Sequence, residues 1–453
     1  MKLRRTLAKL VILLTPVAFL SILLSLQRDL DARETLRTIN DDNTFKQLPL
    51  SPESTHSSTI LLNPDMRFNA LAIAVKTGPE VAFDRIPIQV VSFLHRVSHV
   101  LLIGSNGNFR LGPVTAGEGL MVHDVVTGSY DRVQNTRNIS TVDAASLARA
   151  IQPPIRDSRD VIVPDTDSLG WRNDANKNLP GFKKLYEAYP DANWYMMIDD
   201  DTYLFLDNLM EYLEGLDPET PIYAGRANAF IGCDNVAKHG DGPAFAHGGS
   251  GIVLSKAAMK LFQDGYDSCM DRYSTCWAGD IRVGLCFRDL KTRVKSHIGF
   301  NGAPPNAELY WPKDPCARPF SFHHLPPRKM QDMRNLETRA ASHDGEAGTR
   351  SGRVEYGFVY QSERAWGNAT GWDVGVVWTG REVGQKDGQE VGGDAEGCRR
   401  GCLSNDVCLA FSWTPREDGA PGGVGKCFLY DWVQLSEGKE GAISGIFPER
   451  YSC

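Results

Sequence analysis

Residues 194–203 read Trp194-Tyr-Met-Met-Ile-Asp-Asp-Asp-Thr-Tyr203, a fully apolar run followed directly by three carboxylates. A short apolar run of this kind predicts a buried strand. Adjacent like charges repel, so each carboxylate has to be solvated or neutralised. In open α/β sheets the carboxyl ends of the strands form the ligand crevice. The stretch therefore predicts a divalent cation with oxygen ligands, magnesium or manganese, and a solvated loop is the alternative.

The same strand pattern occurs upstream of this stretch. Leu71-Ala-Ile-Ala-Val75 and Val100-Leu-Leu-Ile103 are apolar runs that predict two further buried strands. A helix opened by Pro87 is expected between them, and another helix opened by Pro180 precedes Trp194. Strand, helix and strand in succession predict an α/β fold with a parallel sheet.

Three further landmarks follow the acidic triplet. His247-Gly-Gly-Ser-Gly251 has three glycines in four residues, which either let the backbone approach a ligand or form an ordinary tight turn. Asp280 stands among small and apolar neighbours, where it would serve as a carboxylate base with a raised pKa or as a helix cap. His323 and His324 lie in an apolar context, as core residues or as metal ligands.

Length, composition and charge limit the classes of protein to which this chain can belong. The 453 residues suggest two to three domains, and 42% hydrophobic residues exclude a disordered or fibrous chain. The net charge of −7, with no basic block after the first ten residues, excludes a dedicated nucleic-acid binder. We therefore expect no nucleic-acid partner.

The N-terminus predicts a type II membrane protein. A basic cytosolic tail at residues 1–9 precedes an uncharged apolar run at residues 10–26, which we interpret as a signal anchor. A cleaved signal peptide is the alternative. Residues 27–67 are polar and predict a lumenal stem. A short span suits the thinner membranes of the early secretory pathway, so a Golgi location with a lumenal catalytic domain is expected.

Cysteines and sequons agree with a lumenal chain. In an oxidising compartment the ten cysteines predict disulfides rather than zinc ligands. Candidate glycosylation sites are Asn138 and Asn368. The cysteines divide five and five around residues 334–369, which lack apolar periodicity and are interpreted as a linker before a domain at residues 370–453.

Taken together and in order, the landmarks resemble glycosyltransferase family 31, the Fringe-like group that includes core 1 β-1,3-galactosyltransferases. The matching segments are Pro180–Lys184, Trp194–Tyr203, the glycine segment, Gly279–Gly284 and Ser321–His323. The resemblance implies a Rossmann-like GT-A domain at residues 68–333. It also implies an inverting, metal-dependent transfer of galactose, N-acetylglucosamine or glucose from a UDP-sugar to a glycan or glycoprotein hydroxyl, in β-1,3 linkage.

The resemblance also implies roles for individual residues. Asp201 and His323 would hold Mn²⁺ (or Mg²⁺), with His324 as the rival histidine. Asp199, Asp200, Asp201, Gly248 and Gly249 would bind the nucleotide sugar, and Asp280 would be the base. Two positions depart from the pattern: many relatives have an acid where this chain has Gly279, and an alanine where it has Ser250.

The C-terminal segment resembles a PAN/apple domain, a small disulfide-rich α+β module that binds protein or carbohydrate. Its cysteines are Cys398, Cys402, Cys408 and Cys427, which we expect to pair 398–427 and 402–408. Cys316 and Cys453 would either bridge the two halves or stay free. Because the segment looks tethered, a truncation near residue 340 is expected to keep donor hydrolysis. The competing hypothesis is a catalytically silent, membrane-anchored carbohydrate-binding protein on the same scaffold.

Overall fold

The structure, a computed structural model, describes residues 65–112, 119–129, 174–230, 232–233, 242–305, 312–344, 353–361, 373–374, 378–382, 393–415, 425–435, 441–451 and 453. All of these residues fall within one compact unit, Ser57–Cys453. The predicted tail, the anchor at residues 10–26, the stem up to residue 64 and the sequons at Asn138 and Asn368 lie outside the described residues. Within the described ranges, no helix combines the length and the apolar character needed to span a bilayer.

The described ranges contain eight α-helices and seventeen strands. The helices are α1 (Ala82–Ser92), α2 (Asn178–Ala188), α3 (Leu206–Glu214), α4 (Lys256–Tyr273), α5 (Gly279–Asp289), α6 (Pro327–Asp344), α7 (Tyr356–Gln361) and α8 (Ala395–Leu403). The strands before residue 330 are β1 (Leu71–Lys76), β2 (His99–Gly104), β3 (Phe109–Leu111), β4 (Leu120–Asp124), β5 (Trp194–Asp199), β6 (Tyr203–Leu204), β7 (Tyr223–Gly225), β8 (Ala227–Asn228), β9 (Phe245–Ala246), β10 (Ile252–Ser255), β11 (Val294–Ser296) and β12 (Ser321–Phe322). The strands after it are β13 (Asp373–Val374), β14 (Trp378–Glu382), β15 (Ala410–Pro415), β16 (Gly425–Leu435) and β17 (Ile443–Ile446).

An eight-stranded mixed sheet forms the centre of the fold, in the order β11-β7-β10-β5-β1-β2-β4-β3. Strands β5, β1, β2 and β4 run parallel, as the strand–helix–strand pattern predicts. Residues alternate between the two faces of a strand, so Leu71, Ile73 and Val75 of β1 enter one core while Ala72 and Ala74 enter the other. Helices α2, α4 and α5 pack together, whereas α1 packs with α6. Two cores on one sheet give an α/β layer architecture.

Two helix boundaries differ from the sequence prediction. Helix α1 begins at Ala82, so Pro87 lies inside it. The missing N–H of Pro87 leaves the carbonyl of Phe83 without its helical donor, and Phe83 lies on the exposed side, where water can replace the donor. The sequence also predicts a helix from Lys256 to Asp264 that Gly265 ends. Helix α4 instead continues through Gly265 to Tyr273 because its buried face extends to Met270 and Tyr273.

The expected linker begins with a helix instead of a tether. Residues 334–344 are the second half of α6, which starts at Pro327. Its buried positions Met330, Met333, Leu336 and Ala340 have helical spacing that starts before residue 334. Glu337 is also buried, held by the hydroxyl of Tyr203 at 2.5 Å. Because Glu337 interrupts the apolar positions on the inward face, the sequence does not show the helical periodicity.

The C-terminal residues form a five-stranded antiparallel sheet, in the order β13-β17-β15-β16-β14, with α8 packed against it. Disulfides join Cys398 to Cys427 and Cys402 to Cys408, which is the expected pairing. The remaining bridges are Cys233–Cys276, Cys269–Cys286 and Cys316–Cys453. All ten cysteines are therefore paired.

The C-terminal segment shares a core with the rest of the fold. Val354, Tyr356, Tyr360 and Tyr451 belong to the same buried cluster as Phe320 and the inward face of α6. The hydroxyl of Tyr356 donates to the carbonyl of Ile298 at 2.7 Å and accepts from the side-chain amide of Asn301 at 2.7 Å. Cys453 is bonded to Cys316, seven residues before His323. The expectation of a loosely tethered module is therefore wrong.

Candidate active site

Strand β5 ends at Asp199, and β1 places a lysine beside it. Lys76 is the register partner of Asp199, and its Nζ lies 2.8 Å from Asp199 Oδ1 and 2.5 Å from Asp174 Oδ2. Burial opposes the charge of Lys76, but the two carboxylates outweigh it and raise its pKa. Burial likewise opposes the charge of Asp199, while Lys76 and His323 hold the pKa of that carboxyl well below its usual range. The first acid of the triplet is therefore a neutralised carboxylate.

Asp200 is bound by Thr77, directly after β1, and by Arg85 of α1, and Arg85 also reaches Asp201 Oδ2 at 3.2 Å. The Thr77 hydroxyl donates to its Oδ2 at 2.6 Å, and Arg85 of α1 donates to its Oδ1 at 2.8 Å. Burial and the neighbouring charge of Asp201 raise the pKa of Asp200 to about 6. These contacts anchor the loop after β5 to β1 and α1.

Asp201 is the acid that meets the histidines. Its Oδ1 lies 3.1 Å from His323 Nε2, and its Oδ2 lies 3.5 Å from His324 Nδ1. His323 Nε2 is also 3.4 Å from Asp199 Oδ2. One ligand atom from each of Asp201, His323 and His324 falls within 4.8 Å of the others. Burial opposes the charge of Asp201, but the His323 ring more than offsets it and lowers the pKa of this carboxyl.

A hydrogen bond from Nδ1 to the backbone fixes the orientation of the His323 ring. Its Nδ1 donates to the carbonyl of Gly302 at 3.2 Å, which leaves Nε2 facing the carboxylates. Metal-bound histidines are usually held by such a contact, because it fixes the tautomer that presents the free nitrogen. Burial disfavours a charged ring, yet Asp201 and Asp199 outweigh it and raise the pKa of His323 to about 10.

His324 adopts an unusual backbone conformation. Its φ of +58° lies in the left-handed region, which a side chain with a Cβ rarely adopts. The ring stacks on His323 with centroids 3.7 Å apart and is 38% exposed. Strained backbone is concentrated at functional sites, so this conformation favours a role for both histidines at the cluster.

These residues fit a divalent metal ion. Asp201 Oδ1 is buried and faces His323 Nε2 at 3.1 Å, so a metal ion held by both atoms would replace the proton that they otherwise share. One carboxylate and two imidazoles form a mixed oxygen and nitrogen donor set, which suits manganese better than magnesium. The structure thus brings together the two predicted ligands, Asp201 and His323, and adds His324 to them.

The residues 247–251, which we call the glycine turn, lie against the metal cluster. Gly249 faces the His323 ring so closely that a Cβ there would lie 2.1 Å from its Cε1. The Thr202 hydroxyl donates to the carbonyl of Gly249 at 2.7 Å, and the Ser321 hydroxyl donates to that of Ser250 at 2.5 Å. Gly251 has a φ of +98°, which only glycine adopts readily. Gly249 is therefore required by its close approach to His323, and Gly251 by its backbone conformation.

Asp280 lies on the other side of the glycine turn. It is the second residue of α5, and the backbone N–H of Gly248 donates to its Oδ2 at 3.0 Å. Burial raises the pKa of Asp280. Arg282 is turned away, because its guanidinium donates to the carbonyl of Cys276 and to the side chain of Asn176. Asp280 is therefore a partly buried carboxylate without an adjacent guanidinium, as a general base requires.

Gly279 has a steric explanation. A Cβ at this position would lie 2.3 Å from Asn178 Oδ1 and 2.8 Å from the carbonyl of Ala175. An acidic side chain before Asp280 would therefore collide with α2 and the residues before it. With glycine at position 279, Asp280 is the acidic residue in the first turn of α5.

Three residues of this site were not predicted from the sequence. They are Lys76, Asp174 and Arg85, which hold the acidic triplet. A lysine is unusual at the end of a buried strand, so Lys76 could have been identified from the sequence as a candidate functional residue. Asp174 and Arg85 could not, because only the fold brings them to the end of β5.

Comparisons with known proteins agree with this geometry. Residues 173–324, which include the acidic triplet, the glycine turn, Asp280 and both histidines, match the Fringe-like family model. Glycoprotein-N-acetylgalactosamine 3-beta-galactosyltransferase 1 of Xenopus laevis is 27% identical over 201 residues, which cover 38% of this chain and 50% of that protein. Beta-1,3-glucosyltransferase of Mus musculus is 28% identical over 178 residues, covering 38% and 33%.

A third relative is UDP-GlcNAc:betaGal beta-1,3-N-acetylglucosaminyltransferase 8 of Mus musculus, 28% identical over 142 residues, which cover 28% of this chain and 34% of that protein. This chain spans half or less of the length of each of the three. A solved glycosyltransferase involved in glycosylation of the major capsid of PBCV-1 gives a TM-score of 0.29 at 14% identity, over 58% of this chain and 99% of that one, which does not establish a common fold. The family-model match and the three relatives together support a glycosyltransferase with a Fringe-like domain at residues 173–324.

Proposed function

We propose that this protein is an inverting, metal-dependent hexosyltransferase that moves a sugar from a UDP-sugar to a hydroxyl of a glycan or glycoprotein. The observation that carries the proposal is the glycine turn, which contacts the cluster of Asp201, His323 and His324 through Gly249 and the carboxylate of Asp280 through Gly248. An inverting transfer needs these two functions side by side, because the leaving group and the attacking hydroxyl lie on opposite sides of one carbon atom.

The metal would be held by Asp201 and His323, with His324 as a third ligand. Manganese is proposed over magnesium because two of the three donors are imidazole nitrogens. When bound, it supplies positive charge that stabilises the departing diphosphate. Asp199 borders the same cluster and would contact the nucleotide sugar, while Lys76 holds its carboxylate in place.

Asp280 would act on the acceptor. Its carboxylate takes the proton of the attacking hydroxyl while that oxygen bonds to the anomeric carbon. The bond from the anomeric carbon to the phosphate oxygen breaks, and its electron pair leaves with UDP. A raised pKa suits this role because it brings the basicity of the carboxylate nearer to that of the proton donor. Attack from the side opposite to the leaving group inverts the anomeric configuration.

The relatives support the class of reaction and a β-1,3 linkage, but their names differ in the sugar. The three names specify galactosyl, glucosyl and N-acetylglucosaminyl transfer, and each includes a β-1,3 linkage or its equivalent. We therefore propose a UDP-hexose donor of this group without choosing among the three. A GT-A fold for residues 68–333 is part of the same proposal.

The compartment and the C-terminal segment complete the proposal. Pairing of all ten cysteines fits an oxidising lumen, so we propose a single-pass type II protein of the Golgi membrane. The five-stranded sheet with α8 and two disulfides is consistent with a PAN/apple-like module. In this proposal it contributes to acceptor or partner recognition and also completes the core of the catalytic part.

A donor screen tests the function. The full chain, produced in a secretory host and purified in detergent, is incubated with UDP-galactose, UDP-N-acetylglucosamine or UDP-glucose, with Mn²⁺ or with a chelator. We expect hydrolysis of one donor that depends on the metal and is accelerated by a matching acceptor. Glycan binding without turnover of any donor would instead support the catalytically silent carbohydrate-binding protein.

A further inference from the structure

His247, at the start of the glycine turn, has no role in the mechanism above. Its ring meets that of His323 edge to face, with centroids 5.6 Å apart. It immediately precedes Gly248, whose N–H binds Asp280. His247 is therefore in contact with the metal cluster on one side and one residue from the contact with the base on the other.

Hydrogen bonding fixes which nitrogen of His247 carries the proton. The backbone N–H of Ser250 donates to Nδ1 at 3.1 Å, so Nδ1 has to be unprotonated. The neutral ring then carries its hydrogen on Nε2. No residue in the described part of the chain accepts a hydrogen bond from Nε2, and His247 is partly exposed. His247 thus presents a neutral N–H donor that a ligand can reach.

The turn also holds this donor rigidly. The Ser250 hydroxyl donates to the carbonyl of His247 at 3.0 Å, and the N–H of His247 donates to the carbonyl of Arg226 at 2.8 Å. Gly302, whose carbonyl fixes His323, is also next to the His247 ring. A polar group held by several contacts is able to discriminate between ligands, because it cannot rotate to form a hydrogen bond with another group when the ligand offers none.

The proposed reaction determines the order in which the parts of the two substrates lie along this surface. The diphosphate belongs at the metal cluster, and the acceptor oxygen belongs at Asp280. The hexose joins the two, since its anomeric carbon is bonded to the diphosphate and attacked by the acceptor. A donor between these points faces the hexose ring. A neutral N–H suits a hydroxyl group, whereas the diphosphate charge belongs beside the metal.

We propose that His247 Nε2–H donates a hydrogen bond to one hydroxyl of the hexose of the UDP-sugar and so helps to determine which sugar is accepted. This inference rests on the proposed function and adds to it a residue that recognises the sugar by a hydrogen bond. His247 is then a specificity-determining residue, distinct from the metal ligands and from the base.

The test compares UDP with UDP-hexose in calorimetric titrations of the full chain with Mn²⁺. The hexose is the one that the wild type hydrolyses. In His247→Asn the side-chain oxygen can still accept from Ser250, but the distal donor is lost. We expect this variant to bind UDP-hexose roughly 3- to 12-fold more weakly, the effect of one neutral hydrogen bond, and UDP with unchanged affinity. His247→Gln, whose amide nitrogen reaches about as far as Nε2, should recover most of the loss.

A series of deoxy donors identifies the hydroxyl. UDP-hexoses that each lack one hydroxyl are titrated against the wild type and His247→Asn. The effect of the substitution should disappear for one deoxy donor and persist for the others, as expected for two groups that interact directly. His95→Asn, in the 3₁₀ helix Leu94–Arg96, is the control for loss of a partly buried histidine.

The outcomes separate the inference from the function on which it rests. An equal loss for UDP and UDP-hexose would place His247 at the diphosphate or in a merely structural role, and would overturn the inference. No loss for either ligand would overturn it too. If the wild type binds UDP but none of the three UDP-hexoses, both the proposed function and this inference are wrong.

Discussion

Replacing Gly249 by alanine offers a sharp test of the metal cluster. The added Cβ would lie 2.1 to 2.3 Å from three atoms of the His323 ring, whereas ordinary contacts begin at 3.4 Å. The ring therefore has to retreat by about 1.3 Å, which is a large fraction of its 3.1 Å distance to Asp201 Oδ1. Stacking on His324 and the bond to Gly302 restrict where it can go. We expect Mn²⁺ affinity to fall roughly 10- to 100-fold, the range found when the support of a metal ligand is disturbed.

The assay is a Mn²⁺ titration of donor hydrolysis, together with direct detection of free Mn²⁺ by electron paramagnetic resonance. Gly248→Ala is the matched control in the same turn, because the three atoms nearest to its Cβ all belong to Asp280 and lie at an ordinary contact distance of 3.4 Å or more. That variant should keep its Mn²⁺ affinity. Circular dichroism checks the fold, since overpacking costs about 1–3 kcal/mol. If Gly249→Ala bound Mn²⁺ as tightly as the wild type, the assignment of His323 as a ligand would be refuted.

Three further predictions follow from the site and the core. Asp201→Asn should lower metal-dependent turnover roughly 100-fold or more, whereas Asp191→Asn on the surface should not; equal activity of the two variants would exclude Asp201 as a ligand. Asp280→Asn should reduce turnover by roughly 10²–10⁴-fold with UDP binding intact. Because the base acts only when ionised and burial raises its pKa, the wild-type rate should rise with pH above the ordinary aspartate range, and this rise should be absent from the residual rate of the variant. A chain ending at residue 340 should fail to fold, because it lacks Tyr356 and Cys453; a soluble truncation with a cooperative thermal transition would contradict this.

The end of β5 could be predicted from the sequence because its signals are local. An apolar run, three acids and a glycine segment lie within short stretches, and the structure places Asp201 and Gly249 beside His323 accordingly. The three acids look alike in the sequence, yet Asp200 turns toward Thr77 and Arg85. That difference depends on side-chain direction after the strand, which partners distant in sequence determine.

The C-terminal half was harder to predict because its packing is not local. Helix α6 looked like a linker since its inward face includes Glu337, whose partners Tyr203 and Arg96 come from far upstream. The contact of Tyr356 with Asn301 likewise joins segments 55 residues apart. Composition and spacing reveal elements, but they do not reveal which buried charges will find a partner.

The bond between Cys316 and Cys453 has a consequence for the synthesis of the chain. Their sequence separation is 137 residues, so at ~5–20 residues per second Cys316 waits roughly 7–27 s for its partner to be made. Cys398, Cys402, Cys408 and Cys427 appear during that interval, and each is a competing thiol for an early Cys316. The short-range pairs 402–408 and 398–427 remove these competitors if they form first. Correct maturation therefore depends on the order of oxidation, and a disulfide isomerase in the same compartment would correct a premature pairing.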